Sequence, residues 1–189
     1  TAHRLIPFEF STTQTYMLEF GDEYVRFFKD NGIITKTGLN ISAITKANPG
    51  VVTSATHGLT AGDYVILDGI VGMTELNGRQ FRVGTVGSST TFQLLNTDGT
   101  NFNTTSLTTY ASGGVVYPIY QITSPYPFSV LPDLKFAQSA DVMYITHPSY
   151  AIRKLSRTAH TSWTFSTPTL TTGTDFIVSA ITQANPGVV

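Results

Sequence analysis

The chain carries four histidines, His3, His57, His147 and His160, twelve acidic side chains and no cysteine. The missing cysteine removes disulfides, thiolate zinc ligands and thiol nucleophiles together. The histidines are scattered, without the i, i+4 or short-loop spacing that lets two imidazoles reach one metal ion. His57 lies in a His-Gly-Leu turn, where turn closure or packing is the expected role. Asp22-Glu23 falls at an expected hairpin tip. Paired carboxylates can hold calcium or cleave a glycosidic bond, but solvated turn residues are the commoner use. Asp98-Gly99 is a turn signal without the acidic spacing of a calcium loop. No Gly-x-Ser-x-Gly elbow occurs, and Gly58, Gly62, Gly69 and Gly72 mark corners between strands, not a phosphate loop. No catalytic, metal or cofactor-binding residue is assigned, no cofactor is expected, and the chain is expected not to be an enzyme.

The residues left with binding potential are aromatic. Tyr117, Tyr120, Tyr126 and Phe128 cluster with Pro118, Pro125 and Pro127. Such rings can stack on sugars or anchor a protein partner, or they can pack this linker against its neighbour. Trp163 alternates with Phe165 and is expected in a core.

Positioning these residues falls to strands and turns. Hydrophobic residues make up 41% of the chain, enough for a core, while charged residues are only 12%, about half the usual share. Thr, Ser, Gly and Asn fill the difference and favour strands and turns. The net charge of −1 shows no basic stripe, so no sequence-specific nucleic-acid partner is expected. A weakly charged surface suits packing against copies of the same chain. No apolar run reaches the roughly 20 residues that span a bilayer. The start, without an initiator Met, reads as a piece of a longer protein.

The sequence repeats itself. Residues 42–52 read SAITKANPGVV and residues 179–189 read SAITQANPGVV, differing only at Lys46 and Gln183. Asn48-Pro49-Gly50 is expected to form a type II turn, with Gly at positive φ. Tyr64–Leu67, Gln80–Val83, Thr91–Leu95 and Val115–Tyr117 then read as short strands, with a helical turn before Asn77-Gly78. Closing them into a small β-barrel would remove exposed edges. On either side lie two similar hairpins, Tyr16–Phe28 and Val142–Leu155. The expected fold is all-β: a first hairpin or blade unit (1–41), a small barrel (42–117), a second hairpin or blade unit (118–178), and the start of a second barrel (179–189). The hairpin units are propeller-like or, alternatively, sandwich-like.

The strings FEFSTTQTYMLEFGDEYVRFFKDNG (8–32) and LPDLKFAQSADVMYITHPSYAIRKLSR (131–157) resemble a family of phage and prophage tail proteins, the propeller-bearing tail-tube or nozzle group. The stretch 44–94 is similar to a small barrel repeated in such proteins and to the FCCH barrel inserted in ubiquitin-activating enzymes. The second likeness implies a shared shape without ubiquitin chemistry, because the chain lacks a catalytic cysteine and a nucleotide-binding loop. The first implies a structural part of a virion tail, made in the bacterial cytoplasm. Such a part would be oligomeric and packed with other tail proteins. A module binding a host-surface glycan or receptor is the alternative.

Overall fold

The computed structural model describes residues 3–11 and 14–169, and nearly every element is a strand. The expected second copy of the repeat, 179–189, lies outside the described residues.

The first sheet contains β1 (Arg4–Ser11), β2 (Gln14–Gly21) and β3 (Tyr24–Lys29) as an antiparallel meander. Two short strands complete it on the free edge of β3. Strand β4 (Gly32–Ile33) sets Ile33 opposite Phe28, and β12 (Gln121–Thr123) sets Gln121 opposite Arg26. They lie end to end, so a single fourth strand is interrupted and the chain between them forms a separate lobe. The two chain segments leaving the sheet pair with each other as a neck. Tyr120 N–H donates to Ile34 O (2.9 Å), Lys36 N–H donates to Pro118 O (2.7 Å), and Thr35 bridges Ile119.

The lobe is one seven-stranded sheet built from β5 (Leu39–Asn40), β6 (Ala43–Ile44), β7 (Val51–Thr53), β8 (Tyr64–Val71), β9 (Arg79–Ser88), β10 (Thr91–Leu95) and β11 (Ser112–Pro118), in the order β5-β11-β8-β9-β10-β7-β6. Alternation places Val65 and Leu67, Phe81 and Val83, Phe92 and Leu94 inside, where they meet Ile44, Met73 and Leu76. The expected helical turn is a 3-10 turn, Thr74–Leu76, and the Asn77 side chain closes it by accepting from Ile70 N–H and donating to Ile70 O.

Two expectations need correction. The barrel is not closed, because no ladder joins β5 to β6. The two residues between these strands each bond elsewhere: Ile41 N–H donates to Gly114 O on β11 and Ser42 N–H to Thr53 O on β7, both at 2.9 Å. The sheet edges are thus tied by the chain itself, through bonds to β11 and β7 and not to each other. Nor is Asn48-Pro49-Gly50 a type II turn: the Asn48–Pro49 peptide is cis and Gly50 is not among the residues with positive φ. Glycine is required there for room, since a Cβ would sit 2.5 Å from Thr104 Cγ2. Thr104 is fully buried; its hydroxyl accepts from Ala47 N–H and donates to Thr45 O (2.7 Å).

The second sheet is an unbroken meander, β13 (Lys135–Ser139), β14 (Val142–His147), β15 (Tyr150–Ala159) and β16 (Ser162–Ser166). It shares one core with the first. Phe8, Tyr16, Leu18, Phe20 and Phe27 from β1 to β3 meet Met143, Ile145, Leu155 and Trp163. Trp163 sits at the centre, stacked on Phe27 (4.4 Å between ring centroids, 26°) and edge-on to Phe8 (4.8 Å) and Tyr16 (5.3 Å). The Gln138 side chain joins the sheets at their margin, accepting from Glu9 N–H (3.0 Å) and donating to Glu9 O (2.9 Å). Two sheets on one core agree with the sandwich-like reading.

Truncating Trp163 leaves a void that both sheets line. Trp163→Ala should lower the unfolding free energy by about 3–5 kcal/mol, measured by urea denaturation.

Candidate interaction surface

The aromatic stretch expected to offer a surface divides between interior and exterior. Tyr120 is 9% exposed; its ring lies 5.5 Å from Phe27 and its hydroxyl accepts from Trp163 N–H at 3.0 Å. Tyr126 is fully buried, edge-on to Tyr150 (5.5 Å) and Phe165 (6.4 Å). These two pin the returning chain to the shared core, as the packing alternative expects, and are not surface residues, which corrects the surface alternative for both. Tyr117 is half-buried on β11, opposite Ile66, and its ring occupies the space above Gly38. Phe128 alone is open, at 39% exposed, and its backbone N–H donates to Asp22 Oδ1 at 2.8 Å. Asp22 therefore fastens the β2–β3 hairpin tip to the chain entering the second sheet. Glu23 beside it adopts positive φ (60°).

The remaining polar residues hold local structure. His57 is 5% exposed: Nδ1 accepts from Leu59 N–H (3.0 Å) while Nε2 lies 3.2 Å from Ser88 O, its acceptor in the matching tautomer. Both ring nitrogens serve packing, as the turn reading anticipates. His147 Nδ1 accepts from Ser149 N–H, and His160 Nδ1 lies 2.6 Å from the Tyr16 hydroxyl. His3 contacts Glu19 at 2.7 Å. Asp98 Oδ1 accepts from Thr100 N–H and Oγ1, bonds that hold its carboxyl below the usual range. The Glu75 carboxyl is lowered likewise by bonds from Thr108. Among the described residues no three metal-ligating side chains come together, and no helix is long and apolar enough to cross a membrane.

One cluster escaped the sequence. Arg26, only 7% exposed, lies between the rings of Tyr24 (4.5 Å) and Tyr64 (4.3 Å), and its Nε donates to Gln121 Oε1 at 3.1 Å. Tyr24 and Arg26 share one face of β3, two residues apart. Tyr64 arrives from β8 of the lobe, so the cation joins sheet to lobe through both ring faces. Tyr24-x-Arg26 was the visible half of this signal; Tyr64 had nothing to mark it as the partner.

Comparisons with known proteins fall on the lobe. The profile of the ubiquitin-activating enzyme E1 FCCH domain matches residues 47–119, close to the span of the seven-stranded sheet. Ubiquitin-like modifier-activating enzyme 1 of Oryctolagus cuniculus is 37% identical over 101 residues, covering 52% of this chain and 9% of that protein. The Homo sapiens protein is 36% identical over 101 residues, with the same coverage, and the Mus musculus protein 33% identical over 117 residues, covering 60% of this chain and 10% of its own. The chain spans about a tenth of the length of these relatives. The lobe is FCCH-like.

Burial raises the Tyr126 phenol above its ordinary value of 10.0, against a weaker pull from Arg153, and its hydroxyl has no hydrogen-bond partner among the described residues. The folded state thus holds this proton more tightly than the unfolded chain. That contribution is intact below pH 10.0 and is lost as pH climbs through the raised value. Tyr126→Phe removes an unpaired buried hydroxyl at constant shape. It should melt no lower at neutral pH and lose part of the alkaline decline, measured by thermal denaturation across an alkaline series. Tyr24, also raised by burial, supplies another part.

Proposed function

We propose that this chain is a structural, non-catalytic part of a tailed-phage virion tail, in its distal tube, nozzle or tip, acting by rigid packing with copies of itself and with other tail proteins. One observation carries the proposal: the first sheet bears an uncovered apolar row on the face turned away from the core. Its inner face builds the shared core. On the outer face Pro7 stands opposite Met17, Met17 opposite Phe28 and Phe28 opposite Ile33, an apolar row across β1, β2, β3 and β4. Met17 is 38% exposed and neighbouring Leu5 is 59% exposed, beside a groove of about 390 Å³. An uncovered apolar row of this kind marks an interface. In this reading each antiparallel meander is one blade and its neighbour covers the row.

The low charge content, the internal duplication and the resemblance of 8–32 and 131–157 to tail proteins support the same placement. The FCCH-like lobe is an outward decoration, and the activity of the E1 proteins belongs to chains roughly ten times longer.

In purified particles the parent protein should form a symmetric ring or tube of fixed copy number, visible by electron microscopy. Met17→Lys should leave the urea midpoint of the chain unchanged yet exclude the parent protein from particles. A parent protein found only as a free monomer, absent from virions, overturns the proposal.

A further inference from the structure

The neck joining lobe to first sheet encloses a polar cleft of about 240 Å³. Its walls carry Tyr24, Tyr64, Lys36, Glu23, Asp63 and Gln121. Donors and acceptors therefore both line a space large enough for one hexose ring. Glu23 carries a carboxylate, Lys36 an ammonium and Tyr64 a phenol, while the Asp63 carboxylate already accepts from Thr60 N–H and Oγ1 and the Gln121 amide oxygen from Arg26. The Glu23 carboxylate, Lys36 ammonium and Tyr64 hydroxyl make no hydrogen bond or ion pair with the described residues.

Over the rings of both tyrosines lies Arg26. Its Nε is satisfied by Gln121, but its terminal nitrogens bond no acceptor among the described residues, and no carboxylate lies within ion-pair distance. A guanidinium this buried, with donors to spare, is costly unless something else accepts from it or its neighbours. The chemistry of the walls selects the occupant. Two carboxylates disfavour an anion, and the density of polar groups disfavours an apolar ligand. A neutral polyol ring, whose hydroxyls both donate and accept and whose C–H face can lie against tyrosine, matches both.

We propose that the neck cleft is a saccharide-binding site, taking a single neutral hexose such as the terminal residue of a surface glycan. The site is formed only where lobe and sheet meet, so the lobe's insertion creates it. It stands independently of the packing role, since the apolar row lies elsewhere on the sheet.

The test is titration of the ¹⁵N-labelled 189-residue chain with glucose, galactose and N-acetylglucosamine, followed by amide NMR. Saturable shifts should be confined to the hairpin tip around Glu23, to Lys36, to Asp63 and Tyr64, and to the strand at Gln121. Lys36→Met combined with Tyr64→Phe removes two unpartnered groups while keeping the ring over Arg26, and should weaken binding roughly tenfold. Glu23→Gln, at an exposed tip, gives a second measurement should that pair disturb the spectrum. The proposal is overturned if none of the three sugars gives a saturable shift, or if the shifts persist unchanged in the variants.

Discussion

The contact on which most of the structure rests is the packing of Trp163 against rings from the other sheet. Its indole stacks on Phe27 and meets Phe8 and Tyr16 edge-on, while its backbone N–H is satisfied by the Tyr120 hydroxyl. Three parts of the chain that are remote in sequence converge there: the N-terminal meander, the segment returning from the lobe, and β16. Aromatic groups suit this task because each buries a large area with few rotamers to freeze. Around this centre the polar ties are few and specific. Gln138 reads the backbone of Glu9, and Arg4 donates to the carbonyls of Leu131 (2.7 Å) and Leu134 (2.7 Å).

Much of this was legible in the sequence, and the reason is periodicity. Strands such as Phe81-x-Val83 and Phe92-x-Leu94 alternate cleanly because one face is buried. The two hairpins picked out as similar are β2–β3 and β14–β15, the inner pairs of their meanders. What failed was whatever depended on partners distant in the chain. Whether the lobe's edge strands pair is decided by what Ile41 and Ser42 bond to, and their acceptors, Gly114 and Thr53, carry no mark in the sequence. Gly50 was read as a turn glycine when its purpose is to make room for Thr104.

The candidate site was legible to a lesser degree. A run of tyrosine and proline reads alike whether the rings face solvent or core, and Tyr120 and Tyr126 proved to be core. Arg26 is marked in the sequence only by its two-residue spacing from Tyr24. It becomes buried only because the lobe delivers Tyr64 onto it, a juxtaposition that exists nowhere in local sequence.

The interrupted fourth strand has an evolutionary consequence. Ile33 stands opposite Phe28, Ile34 N–H donates to Phe27 O, and Gln121 stands opposite Arg26. Joining Ile34 directly to Gln121 would thus continue the ladder without a slip in register, giving a plain meander like the second sheet. The lobe is a cassette: a lineage can acquire it, discard it or exchange it for another with the host sheet's hydrogen-bond ladder intact. The toll falls on Tyr120, whose departure would strip Trp163 of its acceptor, so the scaffold around that indole must co-evolve with whatever is spliced into the gap.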